Sequence, residues 1–129
     1  MTNKPRDLSE RTFLFSCDVV AFCLVLSRTP GAHRQIASQL LRAGTSVGAN
    51  AEEARSAYTR REFAFKASIV LREARESRFW LRIILANKLA PGDTTATLLA
   101  EANELVGIYT ATVRKAKEPR VKLEGKSEK

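Results

Sequence analysis

The sequence predicts an all-α protein, an antiparallel up-down-up-down four-helix bundle. Three observations carry that expectation. Apolar residues recur at helical spacing through four long segments. Proline–glycine breaks separate two pairs of these segments. No stretch alternates apolar and polar in the β manner, and glycine (6) and proline (4) are too scarce in 129 residues for a turn-rich all-β design. Long helices joined by short connections pack most simply as antiparallel neighbours.

The first helix is expected from about Ser9, its N-cap, to Arg28. Leu14, Cys17, Ala21 and Leu24 supply its apolar spacing, with Phe13, Val20, Phe22 and Val25 widening the surface. Thr29-Pro30-Gly31 stops it. The second runs from about Ala32 to Ala57 on a stripe of Ile36, Leu40, Ala43, Val47, Ala51 and Ala54. The third opens on the capping box Thr59-Arg60-Arg61-Glu62 and continues to about Leu89, where Ala90-Pro91-Gly92 ends it. Asp93 or Thr94 is the expected cap of the fourth, whose stripe is Leu98, Ala102, Leu105, Tyr109 and Val113. It fades near Lys117, and Pro119 bars extension. Residues 1–117 thus form one bundle domain and 118–129 a basic tail.

Within the second helix, Gly44 and Gly48 stand four residues apart. Each costs roughly 1 kcal/mol against alanine in a helix interior, so the pair implies another helix packed very close. Along the edge of the same stripe run Arg42, Ser46, Asn50 and Glu53. Buried polar groups need partners, and Glu73 or Glu76 on the third helix can supply carboxylates. Two readings stay open: a polar network that fixes the register of helices two and three, or a polar pocket.

The chain carries a net charge of +8, with a pI near 10.0. That favours an anionic partner. Arg72, Arg75, Arg78 and Arg82 recur on the third helix at spacings of 3, 3 and 4 and form the best internal candidate for a phosphate-binding stripe. Glu73 and Glu76 intersperse with them, and Arg72 and Glu76 have i, i+4 spacing, so intrahelical or interface ion pairs are the competing reading. From Arg114 to Lys129 seven Lys or Arg face three Glu. Arg114, Lys115, Lys117, Arg120 and Lys122 from this tail complete the candidate nucleic-acid contacts. The third helix also gathers Phe65, Ile69, Phe79, Trp80 and Ile83 away from its core residues Phe63, Ala67, Val70, Ala74, Leu81 and Leu85. A second apolar side suggests a subunit interface, since a bundle helix in a monomer needs only one.

Catalytic signals are thin. His33 is the single histidine, and no Cys/His pair, nucleophile elbow or phosphate loop is present. No Glu precedes a His at di-iron spacing. No metal or cofactor is expected, and the reading is of a non-enzyme. Cys17 and Cys23 lie about 600° apart around a helix, so they cannot bond each other, and both are expected as buried free thiols of a reducing cytoplasm. The longest apolar run, Val19 to Leu26, is too short for a membrane span.

Leu40-Leu-Arg-Ala-Gly-Thr-Ser-Val-Gly-Ala-Asn50, followed by Glu53-Ala54, resembles the signature of the bacterial four-helix bundle family named for the 23S rRNA intervening sequence. Glu76-Ser-Arg-Phe-Trp-Leu81 is similar to its third-helix motif, with Phe63, Lys66, Ile69, Leu71 and Glu73 in familiar places. The resemblance implies a small cytoplasmic bundle that assembles as a homopentamer. The Phe79-Trp-Leu-Arg82 segment is similar to a related branch, the basic pentameric accessory protein of diversity-generating retroelements, which binds nucleic acid and a reverse transcriptase. No enzymatic activity is implied. The expected function is therefore nucleic-acid binding, RNA or DNA, through phosphates with little sequence preference. The alternative is a scaffold that docks an acidic partner protein.

Overall fold

In the computed structural model, which describes residues 7–119, Asp7 rather than Ser9 caps the first helix: its carboxylate accepts the Ser9 amide at 3.0 Å. Ser9 is instead buried. Helix α1 spans Leu8–Leu26, α2 Ala32–Arg55, α3 Arg60–Ala86 and α4 Gly92–Lys117. No strand occurs among the described residues. Each helix packs mainly against its neighbours in sequence, while α1 and α4 meet only sparsely. The bundle is up-down-up-down, with α1 and α3 on one diagonal and α2 and α4 on the other. Among the described residues no helix is long and apolar enough to cross a membrane.

Local chemistry sets the ends. Gly31 precedes α2 with φ +86°, a left-handed conformation that L side chains rarely adopt. At α3 the Thr59 hydroxyl accepts the Glu62 amide at 3.0 Å and the Glu62 carboxylate answers the Tyr58 amide at 2.9 Å, so the capping box forms with its return bond one residue early. α3 ends in a Schellman motif. The Leu89 amide donates to the Ile84 carbonyl and the Lys88 amide to the Leu85 carbonyl, with Lys88 at φ +55°. α4 starts earlier than the sequence suggested. Its first helical residue is Gly92, behind Pro91, and neither Asp93 nor Thr94 serves as the cap.

The core stripes of α2 and α4 lie where the spacing placed them, apart from a half-buried Ile36, and Ala67, Val70, Ala74 and Leu81 of α3 are buried with them. Phe63 is half-buried and Leu85 exposed. The two α2 glycines are crossed by α1. The Ser16 hydroxyl donates to the Gly44 carbonyl at 2.8 Å and accepts the Gly48 amide at 3.1 Å.

α1 departs from expectation. Phe15, Val19, Phe22, Cys23 and Leu26 form its core side, whereas Leu14, Cys17, Ala21 and Leu24 face outward. Both sides are apolar, so spacing alone could not choose between them, and the close α2 crossing at Val19 decides it. Cys17 is accordingly exposed, not buried. Cys23 is buried, and desolvation pushes its thiol up to about 12.

Candidate nucleic-acid interface

α3 is held from both sides, which fixes what its outer surface can present. Toward α2, the Arg42 guanidinium donates to Glu73 at 3.5 Å and to Glu76, and Lys66 lies 3.9 Å from Glu53. The Trp80 indole N–H donates to the same Glu76 carboxylate at 3.1 Å. These bonds, from Arg42 first and then Trp80, hold the Glu76 carboxyl below its ordinary range. Ser46 and Asn50 do not reach α3: the Asn50 amide donates to the Ser46 hydroxyl and carbonyl, both at 2.9 Å, within α2. The polar row therefore divides into two α2–α3 ion-pair links and one local pair.

Toward α4, Arg60 donates to the Lys115, Ala116 and Glu118 carbonyls at 3.0–3.2 Å. It satisfies carbonyls that the helix end leaves open and complements the negative end of the helix dipole. This contact brings Arg114, Lys115 and Lys117 to the start of α3. Arg61, Phe65 and Lys117 share a groove of 560 Å³ there.

Between these anchorages α3 turns a basic band to solvent. At about 100° per residue, Arg61, Arg72, Arg75 and Arg82 fall within an arc of about 80°. All four are exposed, and none forms an ion pair among the described residues. Arg78 lies about 40° further round and is half-buried. Phe65 and Phe79 stand among these arginines with 62% and 49% of their surface exposed. Ile69, Trp80 and Ile83 are half-buried, and Trp80 packs on the core while meeting Phe79 edge-on at 4.9 Å. Arg120 and Lys122 lie outside the described residues.

Arg61 escaped the sequence reading. Its signal was a spacing of eleven to Arg72, three full helical turns, which looks unconnected when only 3- and 4-residue steps are followed. His33, half-buried, lines a separate apolar groove of 690 Å³ at the other end of the bundle, with Asp18 and Asp93 on its walls.

The family model of the 23S rRNA-intervening sequence proteins matches residues 8–111. The chain belongs to that family. Its match begins at the first residue of α1 and ends inside α4, so the 23S rRNA-intervening sequence region contains the α3 band but not Arg114, Lys115 or Lys117. A crystal structure from Bacteroides thetaiotaomicron, described as a protein of unknown function from the S23 ribosomal protein family, is similar in fold. It is 24% identical, with a TM-score of 0.76 over 84% of this chain and 99% of that one. No curated relative matches the chain.

Proposed function

We propose that this 23S rRNA-intervening sequence protein is a non-enzymatic, homo-oligomeric bundle that binds single-stranded RNA or DNA with little sequence preference. One observation carries the reading: exposed arginines that form no ion pair among the described residues alternate with exposed phenylalanines along one side of α3. Arg61, Arg72, Arg75 and Arg82 contact phosphates, and Phe65 and Phe79 offer faces on which bases stack. Cationic grooves with stacking aromatics are the common solution for strands read without base-specific hydrogen bonds. Lys115 and Lys117 extend the positive field at one end. In a ring of five copies, the assembly that the family resemblance suggests, the band would be repeated five times.

The test is filter binding of a 20-nucleotide homopolymer at two salt concentrations. Log affinity is expected to fall against log salt with a slope near −0.7 per phosphate neutralised. Arg75→Glu with Arg82→Glu should reduce both affinity and slope while leaving the helical circular dichroism unchanged. Absent or salt-insensitive binding overturns the proposal, and a protein captured by the same surface after nuclease treatment would replace it with an acidic protein partner.

A further inference from the structure

α1 and α4 are tied at one end of the bundle and part at the other. Arg11, in the first turn of α1, holds Glu101 and Glu104 of α4. Toward the end where α1 stops and α4 begins, the two helices leave an apolar groove of 690 Å³ between them. Its floor is Phe22, Leu26 and Leu98, all three buried members of the core. Its rim carries Asp18 from α1 and Asp93 from α4. Both are exposed, and neither forms an ion pair among the described residues. The Thr94 amide donates to Asp93 Oδ1 at 2.8 Å and fixes that carboxylate on the rim. Among the described residues no Lys or Arg lines the groove, although the chain carries a net charge of +8.

We propose that this groove is a binding site for a small amphipathic amine, an apolar body that carries a protonated ammonium group. Size and charge together select that class. The volume falls in the range of small-molecule sites, about 300–1,000 Å³, and the space between helices is where bundles place them. The core side chains of the floor take the apolar body and remove it from water. An occupant that covers the groove also desolvates Asp18 and Asp93, and carboxylates taken out of water need a cation. A neutral ligand leaves them unpaired. A phosphate or a fatty acid brings a like charge to them, so nucleic acid is excluded from this end of the molecule. An ammonium set between the two carboxylates answers both, and the Thr97 hydroxyl on the same rim offers a further acceptor. The groove faces away from α3, which lies diagonally across the bundle from α1. The inference therefore stands whether or not the arginine band binds nucleic acid.

Fluorescence anisotropy of dansylcadaverine with the full chain tests the site. The probe joins a naphthalene body to a primary ammonium, and its N-acetyl derivative is the matched neutral control. Dansylcadaverine is expected to saturate at one molecule per chain and to bind about tenfold more tightly than the acetylated form, the effect of two partly exposed carboxylates on one cation. Asp18→Asn with Asp93→Asn should remove that difference by weakening the amine alone. Thr97→Trp should fill the groove and weaken both probes at least tenfold. Thr97 and the two aspartates are exposed, so circular dichroism should be unchanged in each variant. Absent binding, equal affinity for the amine and its acetyl derivative, or binding that survives Thr97→Trp overturns the proposal. The last outcome would place the probe on apolar surface elsewhere on α1. Nucleic-acid binding by the Thr97→Trp protein is scored separately and bears only on the α3 band.

Discussion

Val19 occupies the space that a side chain on Gly44 would need: a Cβ placed there would come within 2.6 Å of Val19 Cγ1. The glycine is therefore kept by α1, not by the conformation of α2. Gly44→Ala should gain about 1 kcal/mol from helix propensity and lose about 1–3 kcal/mol to overpacking. The net is destabilising because the β-branched Val19 has few rotamers to yield into. In a urea double-mutant cycle, Gly44→Ala is expected to cost clearly less beside Val19→Ala than alone. Equal costs would mean that the two residues do not meet.

Among the described residues, Arg11 is the main polar tie between α1 and α4, the adjacent helices that meet most sparsely. It lies in α1 with its side chain only 12% exposed, and its guanidinium grips Glu101 at 2.7 Å and also reaches Glu104 on α4. The Glu101 hydrogen bond is the leading cause that raises the Arg11 pKa above its already high ordinary value, so the charge persists at any pH the fold survives. Arg11→Ala should cost about 1–3 kcal/mol, since it removes the charge-assisted hydrogen bonds that join α1 to Glu101 and Glu104. Thermal melts at neutral pH read the loss.

Glu76 provides a pH signature. Its carboxyl is held low in the folded protein by Arg42 and Trp80. A depressed folded pKa contributes stability above the unfolded value, about 4.3 for Glu, and that stability is lost as pH falls through the folded value. Trp80 is the single tryptophan, so its fluorescence should follow the Glu76 titration, at a pH below the ordinary glutamate range. Glu76→Gln should remove that transition and flatten the acid limb of the stability curve. A fluorescence change that persists in the variant would assign it to another group.

Lys88 sits at φ +55° in the Schellman turn that ends α3. Lys88→Gly should stabilise the protein by about 0.5–1 kcal/mol, because only the lysine is disfavoured in that conformation. Chemical denaturation with an unchanged m-value would show the gain.

How legible the molecule is from its residues differs by helix. α2 and α4 each have one apolar side, so spacing alone identifies Leu40, Val47, Leu105 and Tyr109 as core. The glycine pair announced the close helix crossing, although not which helix made it. α1 is the failure: with Phe13, Val20 and Leu24 outside and Phe15, Val19 and Phe22 inside, its pattern has no direction. Only the bare backbone at Gly44 and Gly48 orients it, and that contact joins residues far apart in sequence. The candidate interface was half visible. Arg72, Arg75 and Arg82 share a short-range rhythm, but Arg61 joins them only through three unbroken turns. Lys117 joins only through the Arg60 anchorage of α4 on α3, which no local pattern encodes.

That geometry sets the ligand length. Arg61 and Arg82 are 21 positions apart on one helix, about 32 Å at 1.5 Å per residue. A strand that reaches both must be extended over that span, on the order of 5–10 nucleotides. Binding measured against oligonucleotide length should therefore rise steeply through that range and then flatten for a single protomer band. The salt slope should grow over the same range as more phosphates are neutralised. Phe65→Ala and Phe79→Ala should each cost about 1–3 kcal/mol of affinity through lost stacking while leaving the slope unchanged, because they remove no charge. Arg61→Ala should do the reverse, lowering the slope by about one phosphate's share. If the phenylalanine variants alter the slope, or if four-nucleotide strands bind as well as long ones, bases and phosphates are not divided along α3 in this way.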